Sequence, residues 1–88
     1  MFKLGQMLTT PGALAALKES NQTPMEFICR HQSGDWGEMD DEDKALNDAA
    51  LRDGSRLLSA YQTSKGVKLW VITEADRSAT TILLPEEH

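Results

Sequence analysis

The stretch Val67-Lys68-Leu69-Trp70-Val71-Ile72-Thr73 decides how this chain is read. It is dense in β-branched and aromatic residues, which suit a pleated, half-buried surface. Alternation puts Val67, Leu69 and Val71 on one face and Lys68, Trp70 and Ile72 on the other. Before it, Thr63-Ser64-Lys65-Gly66 has hairpin-turn chemistry, and Arg56 to Thr63 reads as the partner strand. After it, Glu74-Ala75-Asp76-Arg77 reads as a second turn. Ser78 to Leu84 (SATTILL) then forms a third strand, which Pro85 ends. The expected product is a C-terminal three-stranded antiparallel β-meander.

Upstream of Gly54 the pattern is helical. Thr10 reads as an N-cap with Pro11 at the first helical position, where its missing N–H costs nothing. That helix would reach about Ser20, with Ala13, Leu14 and Leu17 inward and Asn21 as its stop. Thr23-Pro24-Met25-Glu26 has the form of a capping box opening a second helix, with Met25, Ile28 and either Phe27 or Cys29 inward. It should end in the turn around Ser33-Gly34-Asp35. Asp40 or Asp41 opens a third helix, whose apolar stripe would be Leu46, Ala49, Ala50 and Leu51, with Gly54 as its left-handed stop. Phe2 to Thr9 suits a strand or an extended arm. The fold class is therefore α+β: two or three N-terminal helices packed on the meander, as a single domain over residues 1–88.

Eighty-eight residues with 40% hydrophobic and 26% charged content support one modest core. No apolar run approaches the ~18–20 residues that span a bilayer, and the N-terminus lacks the order of a signal peptide. A cytoplasmic location without membrane association is expected. The single cysteine, Cys29, cannot form an internal disulfide, and its apolar neighbours predict a buried thiol.

The net charge of −5 is localised. Residues 38–53 hold seven acids and two bases, and the remaining seven acids and seven bases cancel. This opposes direct nucleic-acid binding, which needs clustered Lys and Arg, and permits a basic protein partner.

The chemistry-bearing residues do not assemble a motif. A calcium loop opening at Asp35 would place Gly37, Met39 and Leu46 where oxygen ligands belong, so no metal is expected. The acids Asp40, Asp41, Glu42 and Asp43 fit the positive end of a helix instead. No G-x-S-x-G or phosphate-binding glycine loop occurs, and no catalytic residue, cofactor or cofactor-binding residue is assigned. His31 with Arg30, Arg77, Thr80 and Thr81 could form a metal-free ribonuclease set. Ending a helix is the plainer role for His31. Trp36, in a loop between Asp35 and Gly37, is either a core plug or an exposed anchor for a partner. Trp70 could cover the second sheet face or a dimer contact, and strand edges permit a homodimer.

The runs SGDWG (33–37), DEDKALNDAAL (41–51), DGSRLLSAY (53–61) and KLWVITEADRSATTILLPEE (68–87), with GQMLTTPGALAAL (5–17), resemble a family of small, uncharacterised proteobacterial proteins. These occur on plasmids, integrated elements and accessory regions, and some are labelled plasmid-related protein or type I restriction subunit M. A methylating subunit needs a cofactor-binding α/β domain far longer than this chain, so the second label implies no chemistry here. The resemblance implies a mobile-element setting and assigns no catalytic residues. Two functions compete. The first is a non-enzymatic interaction or regulatory protein, using Asp35, Trp36, Asp40, Asp41, Glu42, Asp43, Asp76 and Arg77 as its surface. The second is a small metal-independent ribonuclease or toxin, which needs a reachable His31.

Overall fold

KLWVIT (Lys68–Thr73) is the strand on which the architecture is hung. The computed structural model describes residues 2–88. In chain order it contains β1 (Gln6–Thr9), α1 (Pro11–Glu19), α2 (Pro24–Gln32), α3 (Asp41–Asp53), β2 (Leu57–Gln62), β3 (Lys68–Thr73), β4 (Ala79–Leu83) and a final 3-10 turn (Pro85–Glu87). β3 pairs antiparallel with β2 on one side and with β4 on the other, as the turns predict.

The sheet is nevertheless not a three-stranded antiparallel meander. It is four-stranded and mixed, in the order β1-β4-β3-β2. β1 runs parallel to β4, with Gln6 opposite Ala79 and Thr9 opposite Ile82. A meander alone would leave the outer N–H and C=O groups of β4 without partners, and the N-terminal arm supplies them. Gly5 turns the chain into this strand at φ +66°, hard against the Ser78 carbonyl.

The register defines two faces. Leu57, Ser59 and Tyr61 of β2, Leu69, Val71 and Thr73 of β3, and Thr80 and Ile82 of β4 share one. There Ala13 and Leu17 of α1 and Phe27 and Ile28 of α2 pack with Tyr61, Leu69, Val71 and Ile82 as the main core. A smaller cluster of Trp36, Ala50 and Leu57, with Phe2 and Met39 against it, lies beneath α3.

The caps follow the sequence in part. Thr10 accepts from Ala13 N–H, Asp40 accepts from Asp43 N–H at 2.8 Å, and Gly54 closes α3 in the left-handed region at φ +79°. Thr23 makes no side-chain cap, so the capping box does not form; the Glu26 carboxylate accepts from Gln22 Nε2 at 2.7 Å instead. The helix faces are also rotated from expectation. Leu14, Met25, Leu46 and Leu51 are exposed, as is Cys29, while His31 and Asn47 point inward. Polar partners on the sheet select those two polar residues over neighbouring apolar ones.

Candidate functional site

The proposed interaction residues separate into two groups. Asp35, Trp36, Asp76 and Arg77 hold the fold together. Asp35 makes the one salt bridge among the described residues, to Arg30 Nε at 2.7 Å, which holds its carboxyl below the usual carboxylate range. Its second oxygen accepts from Gly37 N–H, and its backbone carbonyl accepts from Tyr61 Oη at 2.5 Å. The Arg30 guanidinium lies 4.4 Å over the Tyr61 ring. Burial pushes the Tyr61 hydroxyl up to about 12, so it stays a donor.

Trp36 is a core plug, 4% exposed. Its indole N–H reaches Asp48 at 3.1 Å. Its carbonyl accepts from Ala60 N–H, and Glu38 N–H donates to the Ala60 carbonyl, a short parallel bridge along β2. Gly37 has to be glycine there, because a Cβ would overlap the Ala60 carbonyl oxygen. Asp76 accepts from Ser78 N–H within its turn. Arg77, at φ +61°, donates to four carbonyls: Ser55 at 2.7 Å, Glu74 at 3.1 Å, Ala75 at 3.3 Å and Ala50 at 3.1 Å. It ties the β3–β4 turn to the end of α3.

The His31 imidazole is 0% exposed. Nδ1 lies 2.5 Å from Ser59 Oγ and Nε2 lies 2.9 Å from Thr73 Oγ1. Thr73 in turn meets Thr80 Oγ1 at 2.8 Å, and Thr80 donates to the Leu4 carbonyl at 2.7 Å. Counting protons fixes the directions. Thr80 gives its proton to Leu4, so Thr73 gives its own to Thr80, and His31 must then donate from Nε2. With burial keeping the ring neutral, Nδ1 carries no proton and accepts from Ser59. The chain therefore runs one way, from Ser59 through a neutral His31 to Leu4. Phe2 and Trp36 meet the imidazole edge-on at 5.2 and 5.6 Å. Burial, with a smaller contribution from Arg77, lowers its pKa to about 4. A general base must reach its substrate. This imidazole is sealed under aromatic rings, and the Arg77 nitrogens are held by main-chain oxygens.

The second group, Asp40, Asp41, Glu42 and Asp43, forms the first turn of α3, with Asp40, Asp41 and Glu42 exposed. Beside it lies a groove of about 240 Å³ lined by Met39, Asp43, Leu46, Asn47, Arg56 and Leu58. Leu46 is 62% exposed at its edge. The groove floor is built by Asn47, whose amide donates to the Leu58 carbonyl at 2.6 Å and accepts from Leu58 N–H at 3.1 Å. Arg56 contacts the His88 ring nitrogen at 2.8 Å on the far side. Met39, Leu46, Asn47, Arg56 and Leu58 were not among the sequence candidates. An asparagine in phase with Ala50 was their signal. Among the described residues no group of three or more His, Cys, Asp or Glu is placed to hold a metal ion, and no helix is long and apolar enough to cross a membrane.

Fold and site together define a small two-layer α+β domain whose buried ionisable groups are structural and whose groove opens beside an acidic helix end. No protein-family model matches the chain, and neither the curated proteins nor the solved structures give a match.

Proposed function

We propose that this protein is a non-enzymatic interaction module. Its groove between α3 and β2 takes a basic segment of a partner protein that carries an apolar anchor side chain. The observation that carries this reading is the juxtaposition of Leu46, open to solvent over Met39 and Leu58, with the acids of the first α3 turn. An exposed leucine over a concavity is an unspent apolar contact, and burying one contributes about 1.5–3 kcal/mol. Asp41, Glu42 and Asp43 sit beside it without a salt-bridge partner among the described residues. They would steer a cationic segment and fix its orientation more than they would tighten it. The mobile-element setting implied by the sequence resemblance suits a small protein that acts by binding host proteins.

Asp41→Lys with Glu42→Lys reverses the charge while sparing Asp40, which caps the helix. Leu46→Asp removes the anchor contact. Peptides selected from a random library on the intact protein should be rich in Lys, Arg and a large apolar residue, and should shift the amide resonances of Met39, Leu46 and Leu58. Both variants should weaken them at least about tenfold, a loss of about 1.4 kcal/mol. Selected peptides lacking that composition, or binding both variants unchanged, would sink the proposal.

A further inference from the structure

The two edges of the sheet are treated differently. The β2 edge is plugged at Leu58 by the Asn47 amide and at Ala60 by the Trp36–Glu38 bridge. Of the devices that normally guard an edge strand, β1 has only its shortness, four residues, with no charged side chain and no proline within the strand. Gln6 N–H bonds the Ser78 carbonyl and Thr10 N–H bonds the Ile82 carbonyl, so alternation turns the main-chain groups of Met7 and Thr9 outward. No hydrogen bond to them occurs among the described residues. Met7 is 51% and Leu8 42% exposed, and Leu14 of the following helix is also exposed.

We propose that β1 pairs antiparallel with β1 of a second copy of this chain, joining two sheets into one of eight strands. Charge selects that occupant. Residues 4–17 contain no charged side chain, and the whole excess of −5 lies in residues 38–53, towards the other edge. Two copies that repel each other elsewhere meet here without a like-charge contact. The carboxylate that reaches this border, Glu87, is held by Thr10 Oγ1, Gly12 N–H and Leu84 N–H. Because Gly5 leaves the extended region, the register centres on Leu8: Leu8 faces its symmetry mate, and Met7 exchanges hydrogen bonds with Thr9 of the other copy. An interface of one short strand and three apolar side chains falls below the ~1,200 Å² of a stable dimer, so the association is weak and reversible.

Sedimentation from about 10 μM to about 1 mM should show mass rising towards the dimer. Over the same range, hydrogen exchange at the Met7 and Thr9 amides should slow while other edge amides stay unchanged. Leu8→Lys sets like charges face to face, and Met7→Pro deletes an outward donor that β4 does not use. Each should raise the dissociation constant at least about tenfold, with circular dichroism confirming the fold. A chain that stays monomeric at the highest concentration overturns the proposal. So does a dimer that persists in whichever variant folds, or concentration-dependent protection centred on Trp70 or on the groove. The wild-type exchange pattern decides the matter even if both variants unfold.

Discussion

His31 shows how one residue can look catalytic in sequence and be structural in the molecule. Its two ring nitrogens are each matched to a hydroxyl, the chain through Thr73 and Thr80 to Leu4 makes Nε2 the donor, and burial keeps the ring neutral. Its pKa is lowered to about 4 by burial and, secondarily, by Arg77. In the unfolded chain the group titrates near its ordinary value of about 6.5. Above that pH both states are neutral and the native contacts contribute fully. As pH falls from about 6.5 to about 4 the unfolded chain takes a proton that the folded one refuses, so stability drops across that window. Between about pH 7.5 and about pH 5 the loss should be roughly 2 kcal/mol. Urea unfolding at both values measures it. His31→Gln, which can reach the same hydroxyls without titrating, should lose far less over the interval. An equal slope in both proteins would remove His31 as the origin of the effect.

At the scale of elements, α3 is docked by an amide instead of an apolar stripe. Asn47 mimics a peptide group of a further strand, giving Leu58 both a donor and an acceptor. Asn47→Leu should therefore destabilise the protein by about 1–3 kcal/mol despite adding apolar volume, because it strands the Leu58 main-chain groups at a covered edge. Asn47→Asp should also cost stability, since its oxygen would face the Leu58 carbonyl. Thermal unfolding of the two variants checks this, and a neutral leucine variant would mean that water satisfies the edge. The same contact explains what the sequence concealed. Turn chemistry and alternation are local, so β2, β3, β4 and the α3 caps at Asp40 and Gly54 could be read directly. The parallel partnership of β1 with β4 spans more than seventy residues and leaves no periodic mark in Gln6–Thr9. Helix phase failed where polar side chains had partners on the sheet. His31 and Asn47 point inward while Met25 and Leu46 stay exposed, and the exposed Leu46 lines the groove. The sequence marks Asp35 and Trp36 as candidate surface residues, while their contacts run to Arg30, Asp48 and Ala60, which no spacing rule foretells.

For the whole molecule the question is whether two apolar clusters act as one. The main core of eight residues lies under α1 and α2, and Trp36, Ala50 and Leu57 form a second, smaller one under α3. Neither is large, since a chain of this length buries only about 60–65% of its unfolded surface. Two bridges couple them. His31, carried on α2, meets Trp36 of the smaller cluster edge-on at 5.6 Å, and Phe2 touches both rings. Arg77, from the β3–β4 turn, holds the Ala50 and Ser55 carbonyls at and just beyond the end of α3. With those ties in place α3 cannot leave without stranding the Arg77 guanidinium and uncovering the His31 ring. Unfolding should therefore be a single cooperative step. In a Trp70→Phe protein the fluorescence of Trp36 reports the small cluster, while far-ultraviolet circular dichroism reports all helices. The two signals should trace superimposable denaturant curves. Arg77→Ala removes one bridge, so the Trp36 transition should then move to lower denaturant than the helical one. A wild-type background in which Trp36 already unfolds first would show that the groove and its helix form a separately opening unit.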